Sequence, residues 1–403
     1  MRDKIGVAVA GCGVVGSGVV EMLTRNRQII SRAAGREVFL KYMVDIKKLD
    51  PPEGVTLTQD LDQVLADPQV KVLAETIGGA RIAYAYTRKA LEKGISVITS
   101  NKELVATKGD ELKALAEQNG AWYLYEAAVC GGVPVLRPLK TCLAGNRITR
   151  LDGIVNGSTN YLLTRMEQSG LSFPAALGEA RDLGYVEADP AADIEGWDAR
   201  RKLAILANAA FGSNLSDDPA IATEGISRLT ARDMACARAL GGAVKLIAHG
   251  ELVENGWTGW VHPALVPQGH PLYDVKDVFN GLCVTGDCVG QVMFYGRGAG
   301  MLPTASALVG DLIEIARDLE SPLILEKAQP PRMISPMSRT VQAALRVEEG
   351  ILSLCEAVPV EHVVSLEGMN AVRTRPMPLE QLLAKLDAAR GLGVQTGIPL
   401  LLL

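Results

Sequence analysis

The chain has 403 residues, of which 48% are hydrophobic and 22% charged, and a formal net charge of -5 at pH 7. That length exceeds what one compact core usually holds, so two or more domains are expected, and the composition excludes a disordered chain. The modest negative charge gives no ground for a nucleic-acid or anionic-membrane partner.

Seven cysteines at irregular spacing, with no Cys-x-x-Cys pair, suggest neither a disulfide framework nor a zinc site. They suit small apolar positions in a reducing compartment. The first apolar run, Ile5 to Ala10, is broken at once by Gly11 and Gly13. It is too short for a signal peptide or a membrane span, so a soluble cytoplasmic protein is expected.

In chain order, Lys4 to Ala10 predicts a buried strand, followed by Gly11-Cys-Gly-Val-Val-Gly16 and a helical run through Val19, Val20 and Leu23. Strand, glycine turn and helix are the context of a dinucleotide fingerprint, in which backbone N–H groups face a pyrophosphate. Gly11, Gly13, Val14, Val15 and Gly16 are therefore candidate cofactor-binding residues. The next strand, Val38 to Val44, ends at Asp45, an acid suited to the ribose hydroxyls of NAD. Lys47 and Lys48 are alternative partners for the 2′-phosphate of NADP, so both cofactors stay open.

Val70 to Ile77 predicts a third strand, a helix follows from Arg81 to Lys93, and Ile95 to Thr99 predicts a fourth strand. Ser100-Asn-Lys-Glu-Leu-Val-Ala106 leaves its carboxyl end, the edge at which open α/β sheets collect ligands. After a strand at Ala121 to Tyr125 comes Glu126-Ala-Ala-Val-Cys-Gly-Gly-Val-Pro134. Glycines there can turn carbonyls inward beside a carboxylate, an oxygen cage for a hard cation, or serve as a hinge between domains.

A strand at Ile148 to Val155 leads into Asn156-Gly-Ser-Thr-Asn-Tyr161, which starts a helix reaching Met166. Thr159 can cap that helix or bind a carboxylate. Gly184 to Lys202 then gathers Glu187, Asp189, Asp193, Glu195 and Asp198 ahead of a lysine. On a helix Asp198 and Lys202 lie side by side, at the margin of the apolar stripe of Leu206 and Ala210. That is a place for a proton-transferring amine or for an ordinary surface ion pair.

A helix at Ala231 to Leu240, strands at Val244 to His249 and Trp257 to His262, and a helix at Ala305 to Leu319 complete the regular part. Gly296, Gly298 and Gly300 would let backbone approach a ligand. Pro322, Pro330, Pro331 and Pro336 predict a linker, and Val358 to Leu366 with Leu379 to Arg390 a small α+β module. Ile398 to Leu403 is too apolar to lie free in water and should pack on its own chain or a partner.

The pattern Gly184-Tyr-x-Glu-x-Asp-Pro-x-x-Asp-x-x-Gly-x-Asp-x-x-x-Lys202 closely resembles the signature of the homoserine dehydrogenase family. Asn101-Lys-Glu, Asn156 to Tyr161, Val261-His-Pro, His270-Pro-Leu, Val278-Phe-Asn280 and Phe294 to Ser306 resemble it too. The resemblance covers about the first four-fifths of the chain. It implies reversible NAD(P)-dependent interconversion of homoserine and aspartate semialdehyde, in the threonine, methionine and isoleucine branch of amino-acid biosynthesis. It makes Lys202 the acid/base, Lys102 a second catalytic and cofactor-side lysine, and Glu187, Asp193, Asp198 and Thr159 substrate or lysine partners. Gly298 falls on the cofactor side.

The same resemblance implies a monovalent cation, Na+ or K+, held by the acid and carbonyls of Glu126, Val129, Gly131 and Val133. Cys130 stands where the family usually has glycine, Val44 where it often has arginine, and Arg297 where it often has proline. The implied architecture is α/β: a Rossmann dinucleotide-binding domain over 1–134 and a mixed α+β catalytic and dimerisation domain over 135–304. A helix over 305–320 returns to the first domain, and an α+β extension fills 321–403.

Longer members end in an ACT-type regulatory domain. Its usual Asp-x-Pro-Gly turn is missing here, so the extension is either a diverged regulator or an assembly element. A homodimer or higher homo-oligomer is expected. The competing readings are a dehydrogenase of another small amino or hydroxy acid, and a non-catalytic dinucleotide sensor.

Overall fold

The computed structural model describes residues 4–187, 189–318 and 330–403. The chain divides into two units, one of residues 1–145, 204–217 and 296–330, the other of 146–203, 218–295 and 331–403.

In the first unit, strands β1 (Ile5–Ala10), β2 (Val38–Val44), β3 (Thr56–Thr58), β4 (Val70–Glu75), β5 (Ser96–Thr99) and β6 (Tyr123–Leu124) form one sheet. Their order is β3-β2-β1-β4-β5-β6 and every pairing is parallel. Parallel strands need crossovers, supplied by α1 (Val14–Arg25), α2 (Arg27–Ala34), α3 (Leu61–Leu65), α4 (Ala80–Glu92) and α5 (Lys102–Gln118). All six residues of β1 are buried, as expected of a central strand covered on both faces.

This strand order is the dinucleotide-binding one, with its switch point between β1 and β4. Register fixes what meets there: Ala10 pairs with Val44 on one side and Glu75 on the other. Gly11, Asp45 and Thr76 therefore leave the sheet side by side. A short helix, α6 (Leu136–Lys140), and a helix over Met301–Arg317 belong to the same unit. The latter begins earlier than Ala305 because the chain turns at Gly300 (φ 120°), and the expected end at Leu319 lies outside the described residues. It buries Ala305, Leu308 and Leu312 against Val19 and Leu23 of α1. At Gly18 a Cβ would stand 2.7 Å from Met301 O, so the two helices require glycine there.

The second unit opens with β7 (Ile148–Ile154), α7 (Gly157–Ser169), α8 (Phe173–Asp182), α9 (Ala191–Ile194) and α10 (Trp197–Phe211), the last counted here as far as Leu203. There follow β8 (Ala222–Thr223), α11 (Ala231–Ala239), β9 (Gly242–Val253), β10 (Gly256–Pro267), β11 (Phe279–Gly286) and β12 (Gly290–Arg297), and then the helix already described, α12 (Met301–Arg317). β9 and β10 form a hairpin of 12-residue arms, longer at both ends than the apolar runs predicted from sequence. Their ends carry glycine and proline, which a sequence reading takes for turns.

The tail adds β13 (Thr340–Val341), β14 (Ala343–Glu349), α13 (Ile351–Ala357), β15 (Val360–Leu366), β16 (Met369–Thr374), β17 (Met377–Pro378), α14 (Leu379–Gly391), β18 (Gln395–Thr396) and β19 (Leu400–Leu402). β14, α13, β15, β16, α14 and β19 make a ferredoxin-like βαββαβ arrangement. Its strands extend the second unit's own sheet, which runs β12-β11-β7-β9-β10-β19-β14-β16-β15. β19 is the joint, parallel to β10 (Ala264 opposite Leu401) and antiparallel to β14 (Ala343 opposite Leu401). The apolar C-terminus thus packs on its own chain.

Of the expected linker, Pro322 lies outside the described residues. Arg332 to Ile334 runs beside β10, with Arg332 O accepting from Trp257 N at 2.9 Å and Ile334 N donating to Trp257 O at 2.7 Å. No described helix is long and apolar enough to cross a membrane.

Leu401 is 1% exposed and sits between two strands. Leu401→Ala should cost about 2–4 kcal/mol, read as a lower midpoint in thermal or urea unfolding, and an unchanged midpoint would contradict β19 as the joint.

Candidate active site

In the first unit, β1 hands the chain to α1 through a turn that only glycine satisfies at two points. Gly11 is left-handed (φ 85°), and a Cβ on Gly16 would stand 2.0 Å from Gly11 O. At Gly13, by contrast, a Cβ would meet nothing within 4 Å, so the outer side of the turn is open. Gly13 is also the N-cap of α1 and supplies no side chain to its N–H groups, which leaves Val14 and Val15 at a helix start suited to an anion.

Asp45 closes the adjacent side. Its carboxylate accepts from Cys12 N at 2.7 Å and from Lys47 N at 2.9 Å, which pins it against the glycine turn. Val44 is buried, whereas Lys47 and Lys48 are exposed. Burial pushes the Cys12 thiol up to about 11, so it fills the turn as a neutral group. These residues fit a dinucleotide: a glycine turn open outward, an uncapped helix start and an acid beside them. Lys102 is the first residue of α5, behind the N-cap Asn101, whose side chain accepts from Leu104 N at 3.0 Å.

In the second unit, three separate motifs converge at the end of β7. Asn156 caps α7, accepting from Thr159 N at 2.9 Å, and its Nδ2 donates to Asp193 Oδ1 and to Asp198 Oδ2, both at 2.8 Å. Lys202 Nζ donates to Asp198 Oδ2 at 2.7 Å and to Val155 O at 2.8 Å. Asp198 is 1% exposed, so this is a buried, bonded pair rather than a solvated surface one.

Thr159 is buried, and its hydroxyl lies 3.1 Å from Asn156 O, within the cap. Glu187 is exposed and, among the described contacts, makes none with this cluster. Sequence reasoning missed the bridging role of Asn156 and the anchoring carbonyl of Val155. It also missed Lys245, buried on β9, whose amine donates to Val275 O at 2.5 Å and which burial pushes down to about 8.

The loop after β6 is organised by Glu126. Its carboxylate accepts from Val135 N (2.6 Å), Leu136 N (2.9 Å) and Arg137 N (2.6 Å), and so caps α6. Cys130 takes the left-handed conformation of the usual glycine (φ 55°), and Gly131 follows at φ 46°, so the loop keeps its turn at a cost of about 1 kcal/mol. A Cβ on Gly131 would be 2.3 Å from Gly298 O, which places the two glycine runs back to back. Among the described residues no main-chain N–H is directed at the carbonyls of Val129, Gly131 or Val133.

Comparison with known proteins gives the family. Residues 11–126 match the family model described as the homoserine dehydrogenase NAD binding domain, and residues 134–313 match that of homoserine dehydrogenase. Homoserine dehydrogenase of Pseudomonas aeruginosa is 42% identical over 318 residues, 78% of this chain and 73% of that one. That of Synechocystis is 39% identical over 382 residues, 91% and 82% of the two chains.

Among solved structures, a homoserine dehydrogenase from Thiobacillus denitrificans superposes with a TM-score of 0.92 at 33% identity, covering 100% of this chain and 99% of that one. A hyperthermophilic archaeal homoserine dehydrogenase mutant in complex with NADPH does so at 0.66 and 27% identity, over 80% of this chain and 100% of that one. With its NAD(P)-binding sheet, its acid-lysine cluster and relatives of this closeness, the chain belongs to the homoserine dehydrogenase family.

Proposed function

We propose that the chain interconverts L-homoserine and L-aspartate 4-semialdehyde with NAD(P), in the aspartate-derived route to threonine, methionine and isoleucine, and that Lys202 is its proton-transferring residue. The observation that carries this is the Lys202 amine bonded to Asp198 Oδ2 and Val155 O. A charged amine has three N–H donors, so two fixed bonds aim the third. In reduction that N–H protonates the substrate oxygen; in oxidation the neutral amine takes the hydroxyl proton. The nicotinamide, when bound, supplies the hydride chemistry.

Lys102 is assigned to stabilising negative charge on the reacting oxygen. Asp193 and Glu187 are assigned to the substrate ammonium. A simple hydroxy acid would leave these carboxylates unmatched, which selects homoserine over malate or glycerate. Lys202→Met should lower turnover of homoserine at least about a hundredfold while NADH binding, followed by fluorescence, is retained; unchanged turnover would remove Lys202 from the mechanism.

NAD is the favoured cofactor in this reading. Asp45 is pinned where a 2′-phosphate would approach, and like charges there cost on the order of 1–4 kcal/mol. The ratio of kcat/KM for NAD over NADP should be about tenfold or more, and Asp45→Ser should narrow it; an equal ratio in the native chain would refute the assignment.

A monovalent cation, Na+ or K+, is placed at the Glu126–Val133 loop, bound by the main-chain oxygens of Glu126, Val129, Gly131 and Val133. With the Glu126 carboxylate engaged by three N–H groups, its carbonyl, which accepts only a long 3.4 Å bond from Val129 N and keeps a second lone pair, is the donor assigned. At constant ionic strength, exchanging sodium or potassium chloride for tetramethylammonium chloride should lower turnover, and indifference to that exchange would count against the site.

Assembly through the second unit, as a homodimer or larger, is supported by the exposed Val289, Met293 and Tyr295 at the outer strand β12. A cytoplasmic location accords with seven cysteines that are all free.

A further inference from the structure

Glu75 ends β4 and is 0% exposed, yet among the described residues no lysine, arginine or histidine forms an ion pair with it. Burial pushes its carboxyl up to about 7. An apolar residue would cost the core less, so the carboxylate is retained for what it holds.

What it holds is specific. Oε1 accepts from Ile77 N at 2.6 Å, and Oε2 accepts from the Thr99 hydroxyl at 2.6 Å. Glu75 and Thr99 are register partners on β4 and β5, so one side chain ties the outgoing loops of two strands. Thr99 Oγ1 accepts from Asn101 N at 2.9 Å. Asn101 Nδ2 then donates to Ile77 O at 3.2 Å and to Gly79 O at 2.9 Å, while Asn101 caps the helix that Lys102 begins. On the other flank the Thr76 hydroxyl bonds to Gly11 O at 2.6 Å and to Ala10 O at 3.0 Å. The glycine turn, the loop over 76–79 and the start of α5 are thus one hydrogen-bonded frame with Glu75 at its centre.

Asp45 marks the adenosine side of the crevice at the end of β2. The ends of β4 and β5, across the switch point, therefore receive the nicotinamide half. We propose that Glu75 is a positioning residue: through Ile77 and Thr99 it fixes the loop that bears the nicotinamide half of the cofactor and the helix start that carries Lys102. This rests on the cofactor reading given above.

The test compares Glu75→Ala with Glu75→Gln. In the glutamine variant the oxygen still accepts from Ile77 N, and the bridge to Thr99 is kept in reversed sense, the amide donating to Thr99 Oγ1, whereas alanine removes both contacts. In E75A the KM for dinucleotide and the Kd of NADH by fluorescence should rise about tenfold and kcat should fall, while E75Q stays within about threefold of the native chain.

A folded E75A with native Kd and kcat and only a lower melting temperature would overturn the proposal, as would an E75Q no better than E75A. Should E75A not fold, Thr99→Val decides: it keeps the shape and deletes the bridging hydroxyl, so about a fivefold loss in kcat supports the frame and native kinetics overturn it. NADH binding separates the two readings. A native chain that binds NADH but does not oxidise homoserine loses its proposed function, while the effect of E75A on NADH affinity still decides the role of Glu75.

Discussion

A carboxylate taken out of water must be bonded on the protein's terms, and Asp198, at 1% exposure, sets those terms for the second unit. Its Oδ2 is met by Lys202 from the same helix and by Asn156 from the cap of another. Satisfying it brings the end of β7, the start of α7 and the first turn of α10 to one place. Lys202 must then reach back to Val155 O, so the amine arrives with its direction decided. Removing Lys202 would leave the buried Asp198 charge without its counter-ion, and removing Asp198 would take a partner from both the amine and the Asn156 amide, so the cluster acts as a unit.

The first unit solves a related problem with main chain instead of charge. Because Ala10 pairs with both Val44 and Glu75, three loops emerge together, and each side chain there satisfies a neighbour's backbone: Asp45 the N–H of Cys12, Thr76 the carbonyl of Gly11, Glu75 the N–H of Ile77. The glycine turn is then held from both sides while Gly13 stays open. Preorganisation of this kind lowers the ordering cost of binding a long flexible cofactor.

The sequence is most legible where the physics is local. The strand, glycine turn and helix at Ile5 to Arg25 follow from steric demands within a dozen or so residues, and the Asp198–Lys202 pair from helical spacing. Asn156 could be read as a cap but not as the link to Asp193 and Asp198, which are 37 and 42 residues away. Glu126 could be read as a cation ligand in a glycine-rich loop, but not as the cap of the helix that follows. Its carboxylate serves α6, a five-residue helix containing Pro138 that carries no periodic signal. β6 is shorter than its apolar run, and α9 is a single turn that charge density disguised. For Asn156 the missing information was a pair of partners distant in sequence.

The tail shows how a weak local signal can conceal a strong tertiary role. Six apolar residues at a C-terminus say only that they need cover; the register of β19 says what they cover, since it fills the edge of β10 and the edge of β14 at once. A ferredoxin-like arrangement of four strands and two helices would ordinarily be detachable. Here its last strand is shared with the hairpin partner of β9, which itself pairs with β7, the strand that presents Val155 and Asn156. The tail and the carbonyl that bonds Lys202 therefore belong to one continuous sheet. Such a module cannot be displaced without opening two strand edges, so any influence it exerts on the site acts through shifts in register or twist of one continuous sheet.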